Sequence, residues 1–261
     1  MTQIRFILIF LAIVVSLHAE DGIIIDTDSL HVELQFDTIP KTNIFNASGA
    51  KFFIPAVFIS YGALAKVSEP LQRFDENIDR EVSKHFSKRM RFDDYLEVAS
   101  ILAPYGPDLF GIKSKHNFRD KTFVFITSNL IMGSAVYTLK KTTNIERPDG
   151  WNYYSFPSGH TATAFVAAHI LFKEYKDMTP WIGITGYAVA TTMGTMRILN
   201  RKHWLSDVVA GAGIGILSVE IGYMLLPVFR NIIGAEQTRS TLTIAPIIGN
   251  NQYGLGMVYV F

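Results

Sequence analysis

Three short clusters in the second half of the chain carry residue types that could hold an anion and attack it. The first is Lys140 with Arg147-Pro148, the second Pro157-Ser158-Gly159-His160, and the third Arg197, His203 and Asp207. Lys140, Arg147 and Arg197 supply lasting positive charge, and the two arginines can offer paired donors that a lysine cannot. Ser158 and Gly159 stand just before an apolar run that reads as a helix, so backbone N–H groups and the positive end of the helix dipole face the same point. Glycine there lets the backbone come close. A phosphoryl group spreads negative charge over three equatorial oxygens in its transition state. This set therefore predicts a phosphate pocket in which neither a metal ion nor a cofactor is expected. His203 and Asp207 are four apart, which predicts one face of a helix. A carboxylate accepting from one ring nitrogen would fix the tautomer and leave the other nitrogen to attack phosphorus.

The elements that must position these groups read mainly as helices. Apolar segments at Phe52–Ala65, Leu96–Leu102, Thr122–Leu139, Thr161–Phe172, Trp181–Met196 and Val208–Phe229 predict a bundle. Pro180 suits a helix start. Between Glu69 and Phe92, Leu71, Phe74, Ile78, Val82, Phe86 and Met90 recur at helical steps in a charged background, which predicts an amphipathic helix packed on the core. In an up-and-down bundle the loop holding the first two clusters and the loop holding the third fall at the same end. Gly211, Gly213 and Gly215 superficially suggest a dinucleotide loop; no strand precedes them, and close helix contacts explain them better. His169, alone on an apolar helix, reads as a packed residue.

In order and spacing, the three clusters resemble the motif of the type 2 phosphatidic-acid-phosphatase (PAP2) family, shared with class A acid phosphatases and vanadium haloperoxidases. The resemblance implies a helical bundle of the PAP2/acid-phosphatase type, with a phosphohistidine formed on His203. It also implies that His160 protonates the leaving oxygen and later activates water. Catalysis would fall to His203, His160 and Asp207, and phosphate binding to Lys140, Arg147, Ser158, Gly159 and Arg197. One departure is visible: Met196 stands where the family usually has serine, which removes one possible hydrogen bond to the phosphate.

Composition narrows the setting. Hydrophobic residues make up 49% of the chain and charged ones 18%, and the mean hydropathy of +0.22 is high for a soluble enzyme. A net charge of +1 leaves no nucleic-acid footprint. The absence of cysteine excludes disulfides, zinc thiolates and cysteine nucleophiles. Residues 1–19 read as a signal peptide cut after Ala19, or as an uncleaved anchor. Residues 20–50 form an N-terminal strand and loop segment, 51–230 the phosphatase domain, and 231–261 a β-hairpin turning at Gly249-Asn250-Asn251-Gln252. The fold expected is thus mainly α, with a few short strands at both termini. The expected setting is the cell envelope, with the protein on the membrane and its site facing the periplasm. The expected substrate is a phosphorylated lipid, lipid A first, with undecaprenyl diphosphate or phosphatidylglycerol phosphate as alternatives. A soluble periplasmic acid phosphatase, a vanadate-dependent haloperoxidase and a scaffold that binds lipid phosphate without cleaving it are further readings. Oligomeric state is not readable from the sequence.

Overall fold

The structure, a computed structural model, describes residues 50–86, 92–232, 241–249 and 252–260. The leader, the N-terminal strands and the tip of the C-terminal turn expected from the sequence lie outside these residues. The described part is mainly helical. Its helices are α1 (Ala50–Leu64), α2 (Glu69–His85), α3 (Phe92–Leu102), the short α4 (Gly106–Leu109), α5 (Phe118–Thr143), α6 (Gly159–Tyr175), α7 (Pro180–Leu199) and α8 (Leu205–Ile232). Strands β1 (Thr241–Gly249) and β2 (Gln252–Val260) pair antiparallel.

The helix ends follow from local chemistry. The Asn117 side chain accepts from the Asp120 N–H to cap α5, and Asn144 closes it in the left-handed region at φ 49°. Lys140 and Lys141 occupy its last turn, where the dipole favours cations. Pro180 opens α7 without wasting a donor. Helix α6 is the central post, packing on α7 and α8, while α8 also receives α1 and α5. Val166 and Ile170 of α6 meet Ala210, Ile214 and Leu217 of α8 and Val124, Met132 and Val136 of α5 in one buried cluster.

The glycines of α8 make this closeness possible. A methyl group on Gly211 would stand 2.5 Å from the Ser158 carbonyl oxygen, and one on Gly215 would stand 2.5 Å from that of Ala162. Gly213 meets α1 in the same way, at the Pro55 oxygen. These are helix contacts, as the missing strand implied.

The amphipathic helix is shorter than expected. It ends at His85, where Phe86 leaves helical angles (φ −122°, ψ 87°). Its apolar stripe is also only partly covered. Val82 is buried and Phe74 is exposed, because the residue drawn inward is Asp75, which reaches the start of α8. A polar anchor sets the rotation of this helix.

Helices α5 and α8 are long and apolar enough to cross a membrane, and α1 and α2 meet at an 89° bend. Near the end of α6, Lys173 reaches α8 and donates to both oxygens of Glu220 at 2.9 Å.

Candidate active site

The end of α5, the start of α6, the end of α7 and the start of α8 converge, which brings the three sequence clusters together. The Ser158 N–H donates to the Asp207 carbonyl at 3.0 Å. Lys140 Nζ donates to the carbonyls of Tyr154 and Ser155, at 2.6 and 3.3 Å. Lys140, Arg147 and Arg197 lie within electrostatic reach of one another, and Lys140 and Arg197 also act on His203. Burial, and then the charge of Arg197, holds the Arg147 guanidinium below its usual pKa. Cations gathered this way repel one another, and an anion between them removes the penalty.

His203 is buried and stands in the turn before α8, so the expected shared helix face is not what joins it to Asp207. Arg201 takes a positive φ of 54° just after α7, and this reversal delivers the imidazole. Asp207, in the first turn of α8, bends back to accept from the Trp204 N–H at 3.0 Å, one half of a capping box. Its Oδ2 also accepts from Ser155 Oγ at 2.5 Å and faces His203 Nδ1 at 3.6 Å. The Nδ1 atom makes no hydrogen bond among the described residues. Burial pushes the His203 pKa down to about 4, and although Asp207 opposes this, the imidazole is neutral at ordinary pH.

Ser158 is buried just before α6, its hydroxyl 2.9 Å from Thr161 Oγ1. Gly159 opens the helix. His160 is half-buried, with Nε2 2.9 Å from Glu97 Oε2 of α3. Met196 is buried, and its thioether offers no donor at the place where a serine would. His169 is a satisfied core residue, 2.8 Å from Glu220 Oε1 and 2.5 Å from the Tyr187 hydroxyl.

Several residues at the site had no part in the sequence motif. Ser155 and Glu97 touch its members directly. Lys66, in the corner between α1 and α2, places Nζ 2.7 Å from Asp207 Oδ1. The loop before α6 is tied down by the Trp204 indole donating to the Glu146 carbonyl at 2.8 Å, and by Lys202 Nζ 2.5 Å from Asp149. Arg201 joins that loop to α2, bidentate on Asp79 at 2.7 Å and donating to the Pro148 carbonyl at 3.0 Å. Ser155 was within reach of sequence reasoning as a polar residue inside the motif loop. Lys66 and Glu97 were not, because they approach from an interhelical corner and a helix far away in the chain.

Residues 121–230, which hold this four-helix convergence, match the PAP2 superfamily. All eight motif residues fall inside this region. The chain is 33% identical over 226 residues to a lipid A 1-phosphatase of Porphyromonas gingivalis, a match that covers 78% of this chain and 51% of the relative. It thus spans about half the length of that curated protein. Among solved structures it is similar to LpxE of Aquifex aeolicus (24% identity, TM-score 0.43, covering 57% of this chain and 93% of the other). It is likewise similar to a transmembrane PAP2-type phosphatidylglycerolphosphate phosphatase of Bacillus subtilis (19% identity, TM-score 0.43, covering 69% and 98%).

Proposed function

We propose that this chain is a membrane phosphatase that removes a phosphate from a phosphorylated envelope lipid, lipid A before others, at a site facing the periplasm. The observation that carries the reading is the gathering of Lys140, Arg147 and Arg197 within electrostatic reach of one another, with Lys140 and Arg197 acting on a buried, neutral His203. Residues 51–230 would be the catalytic unit and the hairpin an appendage to it.

In this mechanism the three cations and the Gly159 N–H at the start of α6, with the helix dipole behind it, hold the phosphoryl oxygens. His203 attacks phosphorus through Nε2, since Nδ1 faces Asp207. As the N–P bond forms, the P–O bond to the lipid breaks, and the leaving oxygen takes a proton from His160. Water then attacks the phosphohistidine, giving its proton to His160 and releasing inorganic phosphate and free His203. Asp207 steadies the imidazole as positive charge grows on it.

A lipid substrate is supported by a groove of ≈ 550 Å³ between α3, α6 and α7, lined by Leu96, Ala164, Ala168, Leu171, Val189 and Ala190 among others. Leu96 adjoins Glu97, and Ala164 lies one turn beyond His160, so this apolar space begins on the leaving-group side. The membrane-length helices agree with such a substrate. The name of the Porphyromonas relative favours lipid A and its 1-phosphate.

The test is a substrate panel on detergent-purified protein: lipid A, undecaprenyl diphosphate, phosphatidylglycerol phosphate and p-nitrophenyl phosphate. Lipid A should release phosphate, and His203→Ala should release none while still binding lipid. Turnover of the soluble ester alone would favour a broad acid phosphatase, and turnover of nothing would favour a binding scaffold.

A further inference from the structure

Asp207 has two oxygens, and the motif accounts for only one. Oδ2 faces His203, Ser155 and the Trp204 N–H. Oδ1 is buried and faces the ammonium of Lys66 at 2.7 Å, a charge contact rather than a well-directed hydrogen bond. Lys66 is itself nearly sealed, with 8% of its side chain exposed. It donates to Ser206 Oγ at 2.7 Å and lies 3.7 Å from Asp75 Oδ2 and 5.4 Å from the centre of the Phe156 ring. Ser206 in turn donates to Asp75 from both its hydroxyl and its backbone N–H. The corner between α1 and α2 is thereby fastened to the first turn of α8 by a buried cation set between two carboxylates. This corner lies outside the PAP2-matched residues 121–230.

We propose that Lys66 is a positioning residue of the site: it keeps Asp207 ionised and turns Oδ2 of that carboxylate toward His203. The proposal rests on the phosphoryl-transfer reading of the site. A buried carboxylate is costly without a partner. The other cations near His203, namely Lys140 on α5, Arg147 in the loop before α6 and Arg197 on α7, are the groups a substrate phosphate would claim. Lys66 approaches from the side away from His203, next to Asp75 and, beyond it, Tyr61, so it stays on Asp207 when phosphate arrives. It also tempers the carboxylate. With Lys66 present, the His203–Asp207 pair is less eager for a proton, and His203 remains a neutral nucleophile. Without it, both the lost repulsion and the stronger pull of Asp207 raise the proton affinity of the pair.

The test uses full-length protein in detergent and two readouts. In Lys66→Met, kcat should fall by at least about tenfold, and the acid limb of the rate profile should move up by about one pH unit or more. Lys66→Gln should show the same shift even if the methionine variant misfolds, because it keeps a donor and loses the charge. Lys66→Arg should leave the limb in place. The second readout needs no turnover: the His203 ring titrated by NMR in histidine-labelled protein, which should protonate at higher pH in the uncharged variants. If the wild type cleaves no phosphate ester, the functional reading fails while the ring titration still judges Lys66. Folded Met and Gln variants whose limb and ring titration match the wild type would overturn the proposal, as would an arginine variant that shifts as far as they do.

Discussion

Ser155 donates its hydroxyl proton to Asp207 across 2.5 Å and stands closer to that carboxylate than His203 does. The carboxylate is thus fixed by Ser155, the Trp204 N–H and Lys66, while the imidazole faces it at 3.6 Å without a hydrogen bond at Nδ1 among the described residues. Asp207→Asn should lower kcat by about 10²–10⁴-fold with the fold intact, because the wrong tautomer becomes available. Ser155→Ala should cost about 10–10²-fold, the worth of one hydrogen bond to a charged acceptor. Steady-state rates with circular dichroism on each variant check both.

The pH dependence follows from His203, whose pKa is pushed down from 6.5 to about 4, first by burial and then by Lys140 and Arg197. Well above pH 6.5 the group is neutral in both folded and unfolded chains. As pH falls toward about 4, the unfolded chain takes up a proton that the folded one refuses, so stability declines with falling pH. Thermal unfolding between pH 7 and pH 4 should show a steeper loss in the wild type than in His203→Gln. The acid limb of kcat/KM, which reports the free enzyme, should lie near the lower end of that range. The limb of kcat should lie higher, because a bound phosphate favours the imidazolium.

The leaving group separates the roles of His160 and Glu97. His160→Ala should slow cleavage of a lipid phosphate by about 10²–10⁴-fold. In single-turnover formation of the phosphohistidine, p-nitrophenyl phosphate should suffer far less, since its leaving group departs without a proton; the shared hydrolysis step, in which His160 takes the water's proton, should slow alike for both. Glu97→Gln should follow the same pattern with a smaller loss, as Glu97 sits 2.9 Å from His160 Nε2 and orients it. The ratio of the two substrates' single-turnover rates is the measurement. An equal loss on both in that first step would remove His160 from the role of leaving-group acid.

Gly211→Ala and Gly215→Ala form a matched pair. Each would put a methyl group 2.5 Å from a carbonyl oxygen of α6 or its cap. Each should destabilise the bundle by about 1–3 kcal/mol, the usual cost of overpacking. Only Gly211 presses on Ser158, so that variant alone should also lose kcat. Melting temperatures alongside rates will show whether the two effects part.

Residue order alone carried the residue types that the proposed chemistry uses. Positive side chains, a glycine before a helix and a histidine near a carboxylate are legible because each acts through its own functional group and local spacing. The bundle was legible too, since apolar runs of helical period must bury a face. Other features came only with the tertiary structure. The His203–Asp207 pairing depends on a left-handed residue at Arg201 and a helix that begins two residues after the histidine, details that four-residue spacing cannot carry. The rotation of α2 was hidden because a single buried carboxylate, Asp75, outweighed an apolar stripe. Lys66 and Glu97 were invisible for the same reason: a charge is costly to bury unless another charge awaits it, and only the folded chain brings such partners together across more than sixty residues.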